Sequence, residues 1–192
     1  MQSKDEPRYY TRDIVMKKLI TMLLTTCIYV VASAQIQTKF WGLEMGATYA
    51  SLELAKETIK SKCHSCEIKE NGIKSKGGQF AGYNWDFVDF SFYNNTLFFV
   101  HFSSYYKTQD LANEKFYSLY YSLITKYGQP FSENHNNKTS LSDVWCDDTS
   151  MRCFLHLLKA ESMAGHENWY VNLTYYNNNI FNMSLEAELD EL

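Results

Sequence analysis

The chain has 192 residues, 18 Lys and Arg against 22 Asp and Glu, and a formal net charge of -4. This balance, with no basic cluster, excludes a nucleic-acid surface built on phosphate contacts. Aromatic residues make up 16% of the chain, with 15 Tyr and 12 Phe, which favours strands that carry rings both in a core and on an exposed face.

From Met16 the sequence reads "MKKLITMLLTTCIYVVASAQ", with basic Lys17 and Lys18, an apolar run from Leu19 to Val31, and the small residues Ala32-Ser33-Ala34. This order predicts a signal peptide over 16–34, cleaved before Gln35, and hence a periplasmic or secreted protein. The apolar run is too short to span a bilayer, so no membrane span is expected after cleavage. Residues 1–15 are polar and precede a complete signal, so Met16 reads as the start and the front piece as an over-extended reading frame. Cys27 leaves with the signal.

Next, Thr48 is expected to cap a helix through "YASLELAKETIKSK", with Leu52, Ala55 and Ile59 on its buried face. In "CEIKENGIKSKGGQF", Asn71-Gly72 marks a hairpin between two short strands. The aromatic phrase "NWDFVDFSFYNN" at 84–95 follows and returns through "TLFFVHFSSYY". A second helix is read in "TQDLANEKFYSLYYSLITKYGQP", with a stripe of Leu111, Phe116, Leu119, Leu123 and Tyr127 that Gly128 and Pro130 end. His135 and His166 fall in polar stretches read as loops, and two strands flank a turn at 147–152. Then "NWYVNLTYYNN" at 168–178 nearly repeats the first phrase and leads into "IFNMSLEAEL", read as its return strand.

Aligned on the two phrases, each half reads as a helix followed by four antiparallel strands, with the phrase as third strand. The expected fold class is therefore α+β: two tandem α-ββββ repeats, 35–106 and 107–192, forming an antiparallel sheet with helices packed on one face.

Three-residue loops at Asn94-Asn95-Thr96 and Asn177-Asn178-Asn179 would set Phe92 opposite Phe98, Phe90 opposite Val100 and Val88 opposite Phe102. Tyr175, Leu173 and Val171 would likewise meet Phe181, Met183 and Leu185. A slip of one residue would exchange the two faces. The face left open then carries Phe87, Asp89, Ser91, Phe99, His101, Ser103 and Tyr105 from the first half, with Trp85 beside them. The second half adds Tyr170, Asn172, Thr174 and Tyr176. Such a mixture of rings and polar groups suits contact with a protein or peptide partner.

Four cysteines remain after the signal, and an even number in an exported chain points to disulfides. Three pairings are open; proximity favours Cys63 with Cys66 and Cys146 with Cys153. "CHSC" also has thiol-redox spacing, but it follows a helix, where a reactive thiolate needs a helix N-terminus. Zinc binding would require all four cysteines, or His64, to converge. Asp89 and His101, with Ser91 or Ser103 nearby, have the residue types of a hydrolase, yet flat strands offer no nucleophile elbow or oxyanion donors.

"WGLEMGATYASLELAKETI" and "FYNNTLFFV", with two units of helix plus four strands, resemble the β-lactamase-inhibitor-protein-like (BLIP-like) family. A single such unit occurs in SmpA/OmlA-type envelope lipoproteins, and PepSY-like exported bacterial proteins show similar patterning. The resemblance is of fold and carries over no contact residue. The resemblance transfers no activity; the leader and the open face give the expectation of an exported, non-enzymatic interaction protein, inhibitor-like in role, that needs no cofactor. The competing expectation is a small envelope enzyme, a hydrolase or thiol–disulfide catalyst, using Asp89 and His101 or Cys63 and Cys66.

Overall fold

A computed structural model describes residues 35–137, 139–161 and 167–190. The expected signal segment, Cys27 and His166 lie outside the described residues.

The chain enters through a short hairpin, β1 (Lys39–Phe40) and β2 (Leu43–Glu44). Helix α1 (Leu52–Ile59) follows and buries Ala55 and Ile59. Its cap is Ser51, whose hydroxyl accepts from the Leu54 N–H at 3.3 Å, and not Thr48, which is bonded instead to Thr96. Four strands come next: β3 (Ser65–Lys69), β4 (Gly72–Phe80), β5 (Tyr83–Tyr93) and β6 (Thr96–Tyr106). Helix α2 (Gln109–Tyr127) is capped by Thr108 and ends at Gly128, whose φ of 81° stops the helical turn. Four more strands, β7 (Ser132–Asn137), β8 (Ser140–Cys146), β9 (Met151–Glu161) and β10 (Glu167–Asn177), precede helix α3 (Asn178–Asp190).

The eight longer strands form one antiparallel sheet in the order β3-β4-β5-β6-β10-β9-β8-β7. Each set of four is a meander, and the sets meet where β6 pairs with β10. The mixed α+β class is thus as expected, but the second half is built differently. "SENHNN", read as a loop, is the edge strand β7, which shifts the later strands by one place. The second aromatic phrase is therefore a fourth strand, β10, and the expected return strand is α3. The tandem pairs of Tyr175, Leu173 and Val171 with Phe181, Met183 and Leu185 do not form; β10 pairs with β6 and β9 instead. Asn177 caps the new helix, its side chain accepting from the Asn179 and Ile180 N–H groups.

The core lies between the sheet, α1, α2 and the entry hairpin. Phe80 stacks on Phe102 at 4.3 Å between centroids, and Phe40 reaches Tyr175 at 4.9 Å. Each fully buried ring contributes about 1.5–3 kcal/mol through lost water contact. The hairpin is locked to the sheet by Trp41, whose Nε1 donates to Gln79 O at 2.9 Å. Its ring lies so close to Gly78 that a Cβ there would meet it at 2.3 Å, so the position requires glycine. On α2 the buried stripe is Ala112, Phe116, Leu119 and Leu123, while Leu111, expected inside, is 52% exposed.

Helix α3 departs from the expected one-sided arrangement. Phe181 packs 5.5 Å from Tyr176 and 6.3 Å from Phe98, and Tyr176 lies on the side of the sheet away from the buried Tyr175. One end of the exposed face is therefore roofed by a helix.

Candidate binding face

The β5–β6 register decides which residues face outward. Asn94 and Asn95 form a two-residue turn with φ of 48° and 59°, and Tyr93 pairs with Thr96. These positive φ values match the tight hairpin turn for which asparagine is well suited. The expected three-residue loop, and with it the Phe92–Phe98 pair, is overturned: Phe92 lies opposite Leu97. An irregularity beside Ser91 and Phe92 absorbs the extra residue and restores the expected pairs Phe90–Val100 and Val88–Phe102.

Following the ladders across the sheet shows that the open face is one continuous surface. One row runs Glu67, Lys74, Asp89, His101, Thr174, Phe154, Val144, Ser132. The neighbouring row runs Ser65, Lys76, Phe87, Ser103, Asn172, His156, Ser142, Asn134 through the same ladders. Beside them, Tyr105 faces Tyr170, and Ser91 faces Phe99, which faces Tyr176.

Twelve residues are expected on this face, and the structure brings eleven of them together. Trp85 is the exception: it is 2% exposed, its ring lies 5.4 Å from Phe102, and its Nε1 donates to Phe80 O. Strict alternation fails between Trp85 and Val88, which are both buried although three residues apart. The partner strand carries Gly77-Gly78 at this point, where the backbone leaves regular geometry. Thr174 is on the face but nearly covered, at 8% exposure. The β8 and β9 residues Ser142, Phe154 and His156 were missed. The alternation of Arg152, Phe154, His156 and Leu158 with the wholly apolar Cys153, Leu155 and Leu157 is present in the sequence and marks the second set as the inner one.

Charges alternate along the first row. Lys74 stands opposite both Glu67 and Asp89, and Asp89 opposite His101, as expected from the sequence. Each such cross-strand pair contributes about 0.2–1 kcal/mol. His101 Nδ1 lies 2.9 Å from Thr174 Oγ1, and its ring stacks on Phe99 at 6.1 Å. Its hydroxyl partner thus comes from β10 rather than from Ser91 or Ser103. Burial pushes the His101 pKa below the ordinary histidine value, against the pull of Asp89. His156, bonded to the Ser140 hydroxyl at 3.0 Å, is lowered by burial too.

A depression of about 490 Å³ opens at the β3 side, lined by Glu67, Lys74, Phe87, Asp89, His101 and Ser103. Its chemistry is that of a mixed-charge, ring-edged contact surface. The Asp89–His101–Thr174 row has the residue types of a proton relay, but Thr174 is nearly covered on a flat strand, which does not present a nucleophile to a substrate.

The remaining candidates are distributed elsewhere. All four cysteines are free thiols. Cys153 is buried on the helix-covered side, and Cys146, exposed, belongs to the other. The expected Cys146–Cys153 pairing is overturned, because side chains on opposite faces of a sheet cannot be bridged. Cys63 and Cys66 do adjoin, and burial together with the Cys66 thiol pushes Cys63 up to about 12. Among the described residues no group of three His, Cys, Asp or Glu side chains converges as metal ligands.

His135 is no loop residue. From β7 its Nε2 donates to the fully buried carboxylate of Asp143 at 2.9 Å, on the helix-covered side. Its ring is edge-on to Phe116 and Tyr120. Comparison with protein-family models, with curated proteins and with solved structures found no match.

Proposed function

We propose that this is an exported, non-enzymatic binding protein that presents the open sheet face to a protein or peptide partner. The observation that carries the reading is the continuity of that face. Rings (Phe87, Tyr105, Tyr170), imidazoles and hydroxyls occupy adjacent registers on one surface, with Phe87 47% and Tyr105 46% exposed. Tyr and Phe side chains supply contact area with few rotatable bonds, and the surrounding polar groups can fix orientation.

The duplication belongs to the same proposal. The order helix, four strands, helix, four strands supports two copies joined edge to edge, with β6 and β10 as equivalent central strands. That order is also the support for an inhibitor-like role of the BLIP-like kind. The leader read from Met16 to Ala34 supports a periplasmic or secreted location.

The test is site-specific photo-crosslinking in the native envelope fraction, with the probe at Phe87 or Tyr170, against Tyr121 on the helix side. The reading expects a discrete adduct from the face positions alone, lost when Phe87, Tyr105 and Tyr170 are all Ala. Equal adducts from Tyr121, or adducts that survive the triple replacement, would sink it. A defined turnover abolished by Asp89→Ala or His101→Ala would favour the envelope enzyme instead.

A further inference from the structure

We propose that Cys63 and Cys66 form a reversible thiol–disulfide exchange site at the junction of α1 and β3, with Cys66 as the attacking sulfur and Cys63 as the resolving one. The junction is held from three sides. Cys63 follows the 3-10 turn Lys60–Lys62 in extended conformation, and Cys66 is fixed in β3 opposite Ser75. Between them, the His64 N–H donates to Lys76 O at 3.0 Å. The His64 ring lies directly on Gly77, where a Cβ would come within 2.4 Å of Nδ1. Helix and ladder thus bring the two sulfurs side by side without a change of fold.

The two thiols are not equivalent. Cys63 Sγ donates toward Ile59 O and Lys60 O, at 3.7 and 3.8 Å, the carbonyls that end the helix. Carbonyls at a helix C-terminus disfavour a thiolate, so Cys63 is kept as a thiol in the reduced pair. Both cysteines are partly exposed, and Cys66 lines the depression of about 490 Å³ at the β3 side, through which a small disulfide can approach.

With oxidised glutathione as the oxidant, the Cys66 thiolate attacks one sulfur, forming a mixed disulfide and releasing one glutathione thiolate. Cys63, losing its proton, then attacks the Cys66 sulfur, closes the intramolecular disulfide and releases the second glutathione. Two protein S–H bonds are lost, one S–S bond is made and the oxidant's S–S bond is broken. Because the helix-end carbonyls disfavour a Cys63 thiolate, the reduced pair gains no stabilisation from Cys63, which favours the closed disulfide.

The reduced full chain is exposed to oxidised glutathione, quenched with an alkylating agent at intervals and mapped by mass spectrometry. The expected end state is a Cys63–Cys66 peptide lighter by two hydrogens and free of alkylation, restored by dithiothreitol. Cys63→Ser should accumulate a lasting glutathione adduct at Cys66, while Cys66→Ser reacts at least tenfold more slowly at Cys63. A wild-type pair that stays alkylated throughout would overturn the site. Equal adduct rates in the two variants would overturn the assigned roles. Should a variant not fold, the wild-type time course still decides, since the transient adduct must map to Cys66 and not to Cys63.

Discussion

The carboxylate of Asp143 is fully buried, and Nε2 of His135, on the outermost strand β7, donates to it at 2.9 Å. An edge strand composed of Ser, Glu, Asn, His, Asn and Asn has little apolar surface with which to hold itself to the sheet. This pair, with Tyr120 donating to Glu133 at 2.6 Å, fastens β7 to α2 and β8.

His135→Ala leaves Asp143 buried without its partner, an arrangement that costs about 1–3 kcal/mol. Urea denaturation should show that loss, and Asp143→Asn should lose less, because a neutral amide tolerates burial better than a carboxylate. Equal losses, or none for His135→Ala, would mean that the pair does not hold β7.

Gly78 lies beneath the Trp41 ring, with no room for a methyl group. Gly78→Ala should destabilise by about 1–3 kcal/mol through overpacking, read as a lower denaturation midpoint. Combining it with Trp41→Ala should relieve much of the added loss, since the two residues share one contact. Full additivity would show that the clash is not the cause.

The Asn94-Asn95 turn sets the register of the open face. Asn95→Gly should leave stability within about 0.5 kcal/mol of the parent, the relief at positive φ being offset by a freer unfolded chain. Asn95→Val should lower it by about 1–2 kcal/mol. The reverse order in thermal melts would argue against the two-residue turn.

His101 and His156 have pKa values lowered by burial in the folded protein. On acidification the unfolded chain takes up these protons first, near the ordinary histidine value of about 6.5. Their contribution is therefore fully present above that value and is lost as pH falls through the lowered folded pKa values. Denaturant midpoints should fall between about pH 7 and pH 5, and His101→Gln with His156→Gln should flatten the decline. A double variant with an unchanged slope would contradict this.

The first half was largely readable because its signals agree. The turn at Asn94-Asn95 is found in place, though two residues long and not three, Val88, Phe90 and Phe92 are buried at alternate positions, and Asp89 meets His101 as expected. The second half misled for two physical reasons. A polar edge strand carries no hydrophobic periodicity, so β7 looked like a loop. Asparagines serve equally as hairpin residues and as helix caps, so the sequence predicts a turn at Asn177, where the structure caps α3. Trp85 was misplaced because alternation breaks opposite Gly77-Gly78, a departure that depends on the packing of Trp41 and His64 across the chain.

On the proposed reading the open face, and not the helix-covered side, engages a partner. Photo-crosslinking from Phe87 and Tyr170, compared with Tyr121, tests it most directly. A discrete adduct is expected from the two face positions, lost in the Phe87, Tyr105 and Tyr170 triple alanine variant. An adduct from Tyr121 of equal yield, or one from the face that the triple variant retains, would contradict it.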